Sequence, residues 1–163
     1  MSSDKTKLRA FTKDDLGWLV QVHGEIYARD EGFDESFGVL VEQILKDFLR
    51  DCDPTCEHGW VAEQEGIPLG SIFCVRGDVQ GYAKLRLFML LPEARGLGLG
   101  RRMLDTCMGF ARDKGYHGMR LWTHESHAAA CALYAANGWS LTASKPVTSF
   151  GVDLVEQTWE IAF

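Results

Sequence analysis

The chain has 163 residues, 46% hydrophobic and 25% charged, and its 17 Lys and Arg against 23 Asp and Glu give a formal net charge of −6. That composition excludes a disordered tail and a collagen-like fibre, and the acidic balance argues against a nucleic-acid partner, whose binding needs clustered positive charge. The length suits a single domain with its own core, so residues 1–163 are expected to form one. The opening residues hold no apolar signal core and no apolar run approaches the ~18 residues of a membrane span, so no membrane partner is expected. Cys52, Cys56, Cys74, Cys107 and Cys131 include no CxxC pair, which suits reduced thiols and a cytoplasmic location.

Taken in chain order, Leu8 to Phe11 reads as a short strand, and Thr12-Lys-Asp-Asp15 has the spacing of a capping box. The helix it opens has Leu16, Leu19, Val20, His23, Ile26 and Tyr27 on one stripe. Asp34 is placed to cap a second helix with Phe37, Val41, Ile44, Leu45 and Phe48 on its apolar face. Trp60 to Glu63 and Gly70 to Val75 read as strands joined by a turn, and Tyr82 to Leu91 as a long strand stopped by Pro92. Leu104, Cys107, Met108 and Ala111 mark a third helix over about Gly98 to Lys114, with Gly115 at its C′ position. Met119 to Thr123 is the next strand. Ser126 is placed to cap an alanine-rich fourth helix closed by Asn137-Gly138, and Trp139 to Thr142 and Gln157 to Phe163 are the last strands. Strands, then βαβα, then strands imply an α/β (α+β) fold, a mixed sheet with helices on both faces.

The chemistry concentrates in Leu91-Pro-Glu-Ala-Arg95-Gly-Leu-Gly-Leu-Gly100-Arg-Arg102. Gly96, Gly98 and Gly100 let a ligand approach backbone amides, and the helix they open offers free N–H groups and a positive dipole end. Arg101 and Arg102 oppose that dipole by ~0.3–1 kcal/mol each, which makes sense where a polyanion sits. The stretch lacks the Lys of a P-loop, and Pro92 to Arg95 intervene where a dinucleotide fingerprint puts its first glycine directly after the strand.

On these residues the chain resembles the GCN5-related N-acetyltransferases. Arg95-Gly-Leu-Gly98-Leu-Gly100 matches that family's acetyl-CoA motif, and Leu133-Tyr134-Ala-Ala-Asn-Gly138-Trp139 resembles its downstream Tyr-xxx-Gly-Phe segment. Trp122-Thr123 and the segment from Ser149 to Trp159 are most similar to the acetyltransferase half of regulators fused to a winged-helix domain. The resemblance implies a mostly antiparallel sheet of about seven strands and acetyl-CoA as cosubstrate with no metal. It also implies an amine acceptor that is a small molecule, and the homodimers that many relatives form. By position, Phe88, Met89 and Leu90 would line the pantetheine arm, and Arg95, Gly96, Leu97, Gly98, Leu99, Gly100 and Arg101 would hold the phosphates. Tyr134 would assist the departing thiolate. A free phenol (pKa ~10) protonates a thiolate (pKa ~8.5) uphill by about 2 kcal/mol, so it acts mainly as a hydrogen-bond donor. Its other reading is an aromatic on the core face of its helix. A non-catalytic acyl-CoA sensor is the alternative function.

An attacking ammonium must first lose a proton, and Glu63, His23 or a water chain are the candidates to receive it. Tyr27 and Arg86 are candidates for acceptor binding. Lys84 and Arg86 share one face of the long strand and need anionic partners, either internal, such as Glu63, or a carboxylate on the substrate. His124, Glu125 and His127 cluster where many relatives have an Asn for the pantetheine arm. The Cys52-x3-Cys56-Glu-His58 spacing suits a solvated loop better than zinc, and Cys131 suits packing better than an acyl carrier.

Overall fold

A computed structural model describes residues 5–163; Met1–Asp4 of the opening segment lie outside them. The elements are β1 (Lys7–Ala10), α1 (Leu16–Glu31), α2 (Ser36–Asp51), β2 (His58–Gln64), β3 (Ile67–Arg76), β4 (Tyr82–Leu90), α3 (Leu99–Asp113), β5 (Gly118–His124), α4 (Ala128–Ala136), β6 (Ser140–Ser149) and β7 (Val152–Ala162). The strands run in the order β1-β2-β3-β4-β5-β7-β6, a seven-stranded mixed sheet flanked by the four helices. The β1–β2, β2–β3, β3–β4 and β6–β7 pairs are antiparallel, and β4–β5 is parallel.

The chain divides into two compact units. The first comprises the described residues 5–11, 53–121 and 162–163, which include β1 to β4, α3 and the start of β5. Its core is Val61, Leu69, Ile72, Phe73, Met103, Leu104, Met119 and Leu121, each at most 1% exposed, with Phe11 edge-on to Phe73 at 5.1 Å. Cys74 and Cys107 are buried in the same core, and the Cys107 thiol donates to the Phe73 carbonyl at 3.8 Å. Helix α3 packs on β3 and β4 through Met103, Leu104, Cys107, Met108 and Ala111, the stripe expected from its periodicity.

The second unit comprises residues 12–52 and 122–161. Asp15 accepts from the Thr12 amide at 2.9 Å while the Thr12 hydroxyl accepts from Asp14, so the capping box forms, on a 3-10 turn that leads into α1. Helices α1 and α2 pack on each other, burying Leu19, His23 and Ile26 of α1 and Val41 and Leu45 of α2. Asp34 accepts from the Ser36 amide at 3.0 Å and from its hydroxyl, but the residue at the start of α2 is Glu35, so Asp34 stands one position ahead of the cap expected of it. Ser126 does not cap α4, because the chain makes a further turn and His127 becomes the residue at the helix start.

The last strands are longer than the sequence suggests. The expected strands are Trp139 to Thr142 and Gln157 to Phe163, yet β6 and β7 pair from Ser140↔Glu160 to Ser149↔Val152, across Lys145-Pro146. Proline is tolerated because β6 is the outermost strand. The two turn residues, Phe150 at φ +55° and Gly151 at φ +78°, have the positive φ that matches a tight hairpin to strand twist. Phe150 holds this strained conformation with its ring 4.8 Å from Phe33 and 5.0 Å from Phe37, while its carbonyl accepts the Asp34 amide at 2.9 Å.

Candidate functional site

Strand β4 pairs with β3 as far as Gly70↔Leu90, but its parallel ladder with β5 covers only Tyr82–Lys84 against Gly118–Arg120. From Leu85 onward the β5 side of its backbone lies outside that ladder. Between Ser71↔Met89 and Phe73↔Arg86 the β3–β4 register slips, and Leu87 takes a positive φ of +49°. The buried Ser71 hydroxyl donates to the Leu87 carbonyl at 2.7 Å and holds this bulge. Beyond it, Met89 is buried, while Phe88 and Leu90 are half-buried.

After Leu91 a 3-10 turn, Pro92–Ala94, leads to Arg95, whose Nε donates back to the Leu90 carbonyl at 3.2 Å. Gly96 and Gly98 have φ of +78° and +81°, and an added Cβ would meet nothing within 4 Å at either. Glycine is required there by the backbone, and the space around it is open. Gly98 is the residue at the start of α3, with no side-chain cap, so the first-turn amides of α3 have no side-chain acceptor at that position. Leu99, 2% exposed, anchors the helix start in the core. The two arginines differ. Arg101 projects into solvent, 72% exposed and 3.9 Å from Asp105, whereas Arg102 Nη1 donates to the Thr6 carbonyl at 2.6 Å. Arg102 thus has an internal use, while Arg101 presents its guanidinium to solvent beside the loop. Open glycine backbone, a helix start without a side-chain cap and the exposed Arg101 guanidinium fit the phosphates of a CoA ligand.

In the second unit Tyr134 is 3% exposed, with Trp139 at 5.6 Å and Trp159 at 6.1 Å between ring centroids. One turn earlier the Cys131 thiol donates to Gln157 Oε1 at 3.3 Å, which also accepts from Trp159 Nε1 at 3.0 Å. Burial raises the Cys131 pKa, the wrong direction for a nucleophile.

The base candidates are placed differently. Glu63 accepts from Arg9 Nε at 2.6 Å, so the partner suggested for Arg86 is engaged by Arg9. Lys84 is half-buried, and burial, then the Arg86 charge, lowers its pKa. His23 is 1% exposed, its Nδ1 lies 2.8 Å from the Leu19 carbonyl, and burial lowers its pKa to about 4. Its Nε2 has no hydrogen-bond partner among the described residues. Tyr27 stacks on Phe33 at 5.7 Å and stands edge-on to His127 at 5.2 Å.

One grouping becomes visible only in the fold. Thr123 Oγ1 is 3.0 Å from His127 Nδ1, and His127 Nε2 is 3.4 Å from Glu31 Oε1. Glu31 ends α1 and His127 precedes α4, so only the fold brings them together. Among the described residues no group of three or more His, Cys, Asp or Glu is arranged to hold a metal ion, and no helix is long and apolar enough to cross a membrane.

A profile described as the acetyltransferase (GNAT) family matches residues 22–139. Over 120 residues the chain is 31% identical to the probable N-acetyltransferase family 8 member 5 of Mus musculus, an alignment covering 64% of this chain and 53% of that protein. The chain therefore spans about half the length of that relative. A putative acetyltransferase from Salmonella typhimurium, solved with its cofactor acetyl-CoA, superimposes with a TM-score of 0.79 at 20% identity, over 97% of this chain and 94% of that one. Spermidine N-acetyltransferase from Vibrio cholerae, in complex with CoA and spermine, gives 0.75 at 17% identity, over 98% and 96%.

Proposed function

This chain belongs to the acetyltransferase (GNAT) family, and from that premise we propose that it moves the acetyl group of acetyl-CoA onto the primary amine of a small molecule. The observation that supports this most is the loop itself, with positive φ at Gly96 and Gly98, open space around both and no side-chain cap on α3. Acetyl-CoA supplies an activated thioester, so the chain's own residues have to hold it, orient it and manage protons. The amides from Gly96 to Arg101 and the Arg101 guanidinium bind phosphate oxygens. The β4 backbone around Phe88, Met89 and Leu90, off the β5 ladder, hydrogen-bonds the pantetheine arm, and an amide near Leu90 polarises the thioester carbonyl. Tyr134 donates a hydrogen bond to the departing sulfur.

A cationic acceptor suits the net charge of −6; Tyr27 is a proposed contact, and Arg86 would contact an acceptor through a carboxylate that the acceptor carries. We place the chain in the cytoplasm, as one domain able to pair with a second copy. The likeness of its Trp122-Thr123 and Ser149–Trp159 segments to regulator-fused acetyltransferases is part of the same reading. The test is thiol release from acetyl-CoA across a panel of amines, beside calorimetric titration with CoA. Amine-dependent thiol release supports the enzyme. Tight CoA binding with no release on any amine overturns it in favour of a sensor, and Arg86→Ala is expected to raise the acceptor KM selectively.

A further inference from the structure

Thr123, His127 and Glu31 form a line of polar side chains that neither the loop nor Tyr134 uses. The imidazole and carboxylate are 18% and 12% exposed, 3.4 Å apart. The Glu31 carboxylate at 3.4 Å acts on the ring through charge rather than through a hydrogen bond, and in the tautomer with Nε2 protonated Nδ1 accepts from the Thr123 hydroxyl at 3.0 Å. Tyr27 of α1, at 5.2 Å, and His124 of β5, at 5.5 Å, also face this imidazole. His124 in turn feels Glu156 of β7 as well as Glu31, and burial keeps its pKa below the ordinary histidine value, so it is mostly neutral near pH 7. The imidazole therefore has a carboxylate beside it and a hydroxyl through which a proton can arrive. Thr123 lies three residues past Arg120, the last β5 residue in the ladder with β4, toward the carboxyl end where open α/β sheets present ligands.

We infer that Thr123, His127 and Glu31 are the proton relay that converts the acceptor ammonium into a nucleophilic amine. The inference rests on the acetyltransferase reading and deepens it. The Thr123 oxygen takes a proton from the ammonium while its own proton passes to His127 Nδ1. One N–H bond of the acceptor breaks, an O–H bond forms on Thr123, and the original hydroxyl O–H is exchanged for an N–H on the imidazole. The acceptor keeps the electron pair it needs for attack, Glu31 balances the imidazolium, and the imidazolium then returns its proton to solvent. Thr123 is the group that touches the acceptor; His127 and Glu31 act through it. This relay is better placed than the two earlier candidates, because Glu63 already binds Arg9 and His23 is sealed in the interior.

The test uses the full chain and the best acceptor of the panel, with kcat/KM followed from pH 6 to pH 10. His127→Ala is expected to lose roughly 100-fold near pH 7. The loss should shrink below about tenfold near pH 10, where an amine of ordinary pKa ~10.4 begins to shed its proton unaided. Added imidazole should recover at least about tenfold near pH 7. Thr123→Val should show the same pH-dependent loss and Thr123→Ser should relieve it, so the result does not depend on how well His127→Ala folds. A loss that is equal at every pH and unmoved by imidazole marks a packing role and overturns the relay alone, as does wild-type turnover in both His127→Ala and Thr123→Val. A wild-type chain that binds acetyl-CoA and acetylates no amine overturns the relay and the acetyltransferase reading together.

Discussion

Replacing Tyr134 and Gly98 tests the proposed chemistry and the proposed binding separately. Tyr134→Phe keeps the ring packed against Trp139 and Trp159 and removes only the hydroxyl. Turnover should fall at least about tenfold, the scale of one lost charge-stabilising donor, while the acetyl-CoA Kd from calorimetry stays within about twofold. Wild-type turnover in this variant would remove Tyr134 from the mechanism. Gly98→Ala should do the reverse. A side chain at φ +81° costs about 1–2 kcal/mol, so urea unfolding should show lower stability and calorimetry a higher acetyl-CoA Kd. An unchanged Kd would mean that the loop backbone does not cradle the ligand. Both residues were legible in the sequence, because a glycine run at a helix start and a tyrosine at fixed spacing are local patterns. Glu31 beside His127 was not, since no local pattern links the end of α1 to the start of α4.

Among the elements, β4 shows best how local bonding shapes the site. Its bulge depends on the Ser71 hydroxyl, which is fully buried and bonded to the Leu87 carbonyl. Ser71→Ala leaves that carbonyl without this donor and should cost about 1–3 kcal/mol in urea unfolding. It should also raise the KM for acetyl-CoA, because the backbone after the bulge would lose its set. A stable variant with unchanged KM would show that the bulge persists without the bond. Periodicity located the apolar faces of α1 and α2 and the bounds of α3 to within a residue, since each has a stripe of apolar positions facing a core. It failed where tertiary context overrides propensity. Lys145-Pro146 sits in an outer strand that tolerates the missing N–H, and Phe150 adopts a left-handed turn because Phe33 and Phe37 hold its ring. The Leu87 bulge was likewise invisible, since its cause is a serine on the neighbouring strand.

For the whole molecule, His23 ties stability to acidity. Its folded pKa of about 4 lies below the value of ~6.5 expected when unfolded, so between those limits the unfolded chain binds more protons than the folded one. Stability therefore rises with pH through that window and falls on acidification, by about 3 kcal/mol from pH 7 to pH 4 for this group. Urea unfolding at both pH values should show His23→Gln losing less stability on acidification than the wild type by a large part of that amount. An equal loss in both proteins would remove His23 as the acid-sensitive group. The cysteines divide in a way that gives a second global readout. Cys74 and Cys107 lie fully inside the first unit, and burial raises the Cys107 pKa further, whereas Cys52, Cys56 and Cys131 are half-buried. Under a thiol-alkylating reagent, mass spectrometry should find up to three early adducts and two late ones. The late pair can react only when the first unit opens, so their labelling rate is a clock for how often its core breathes.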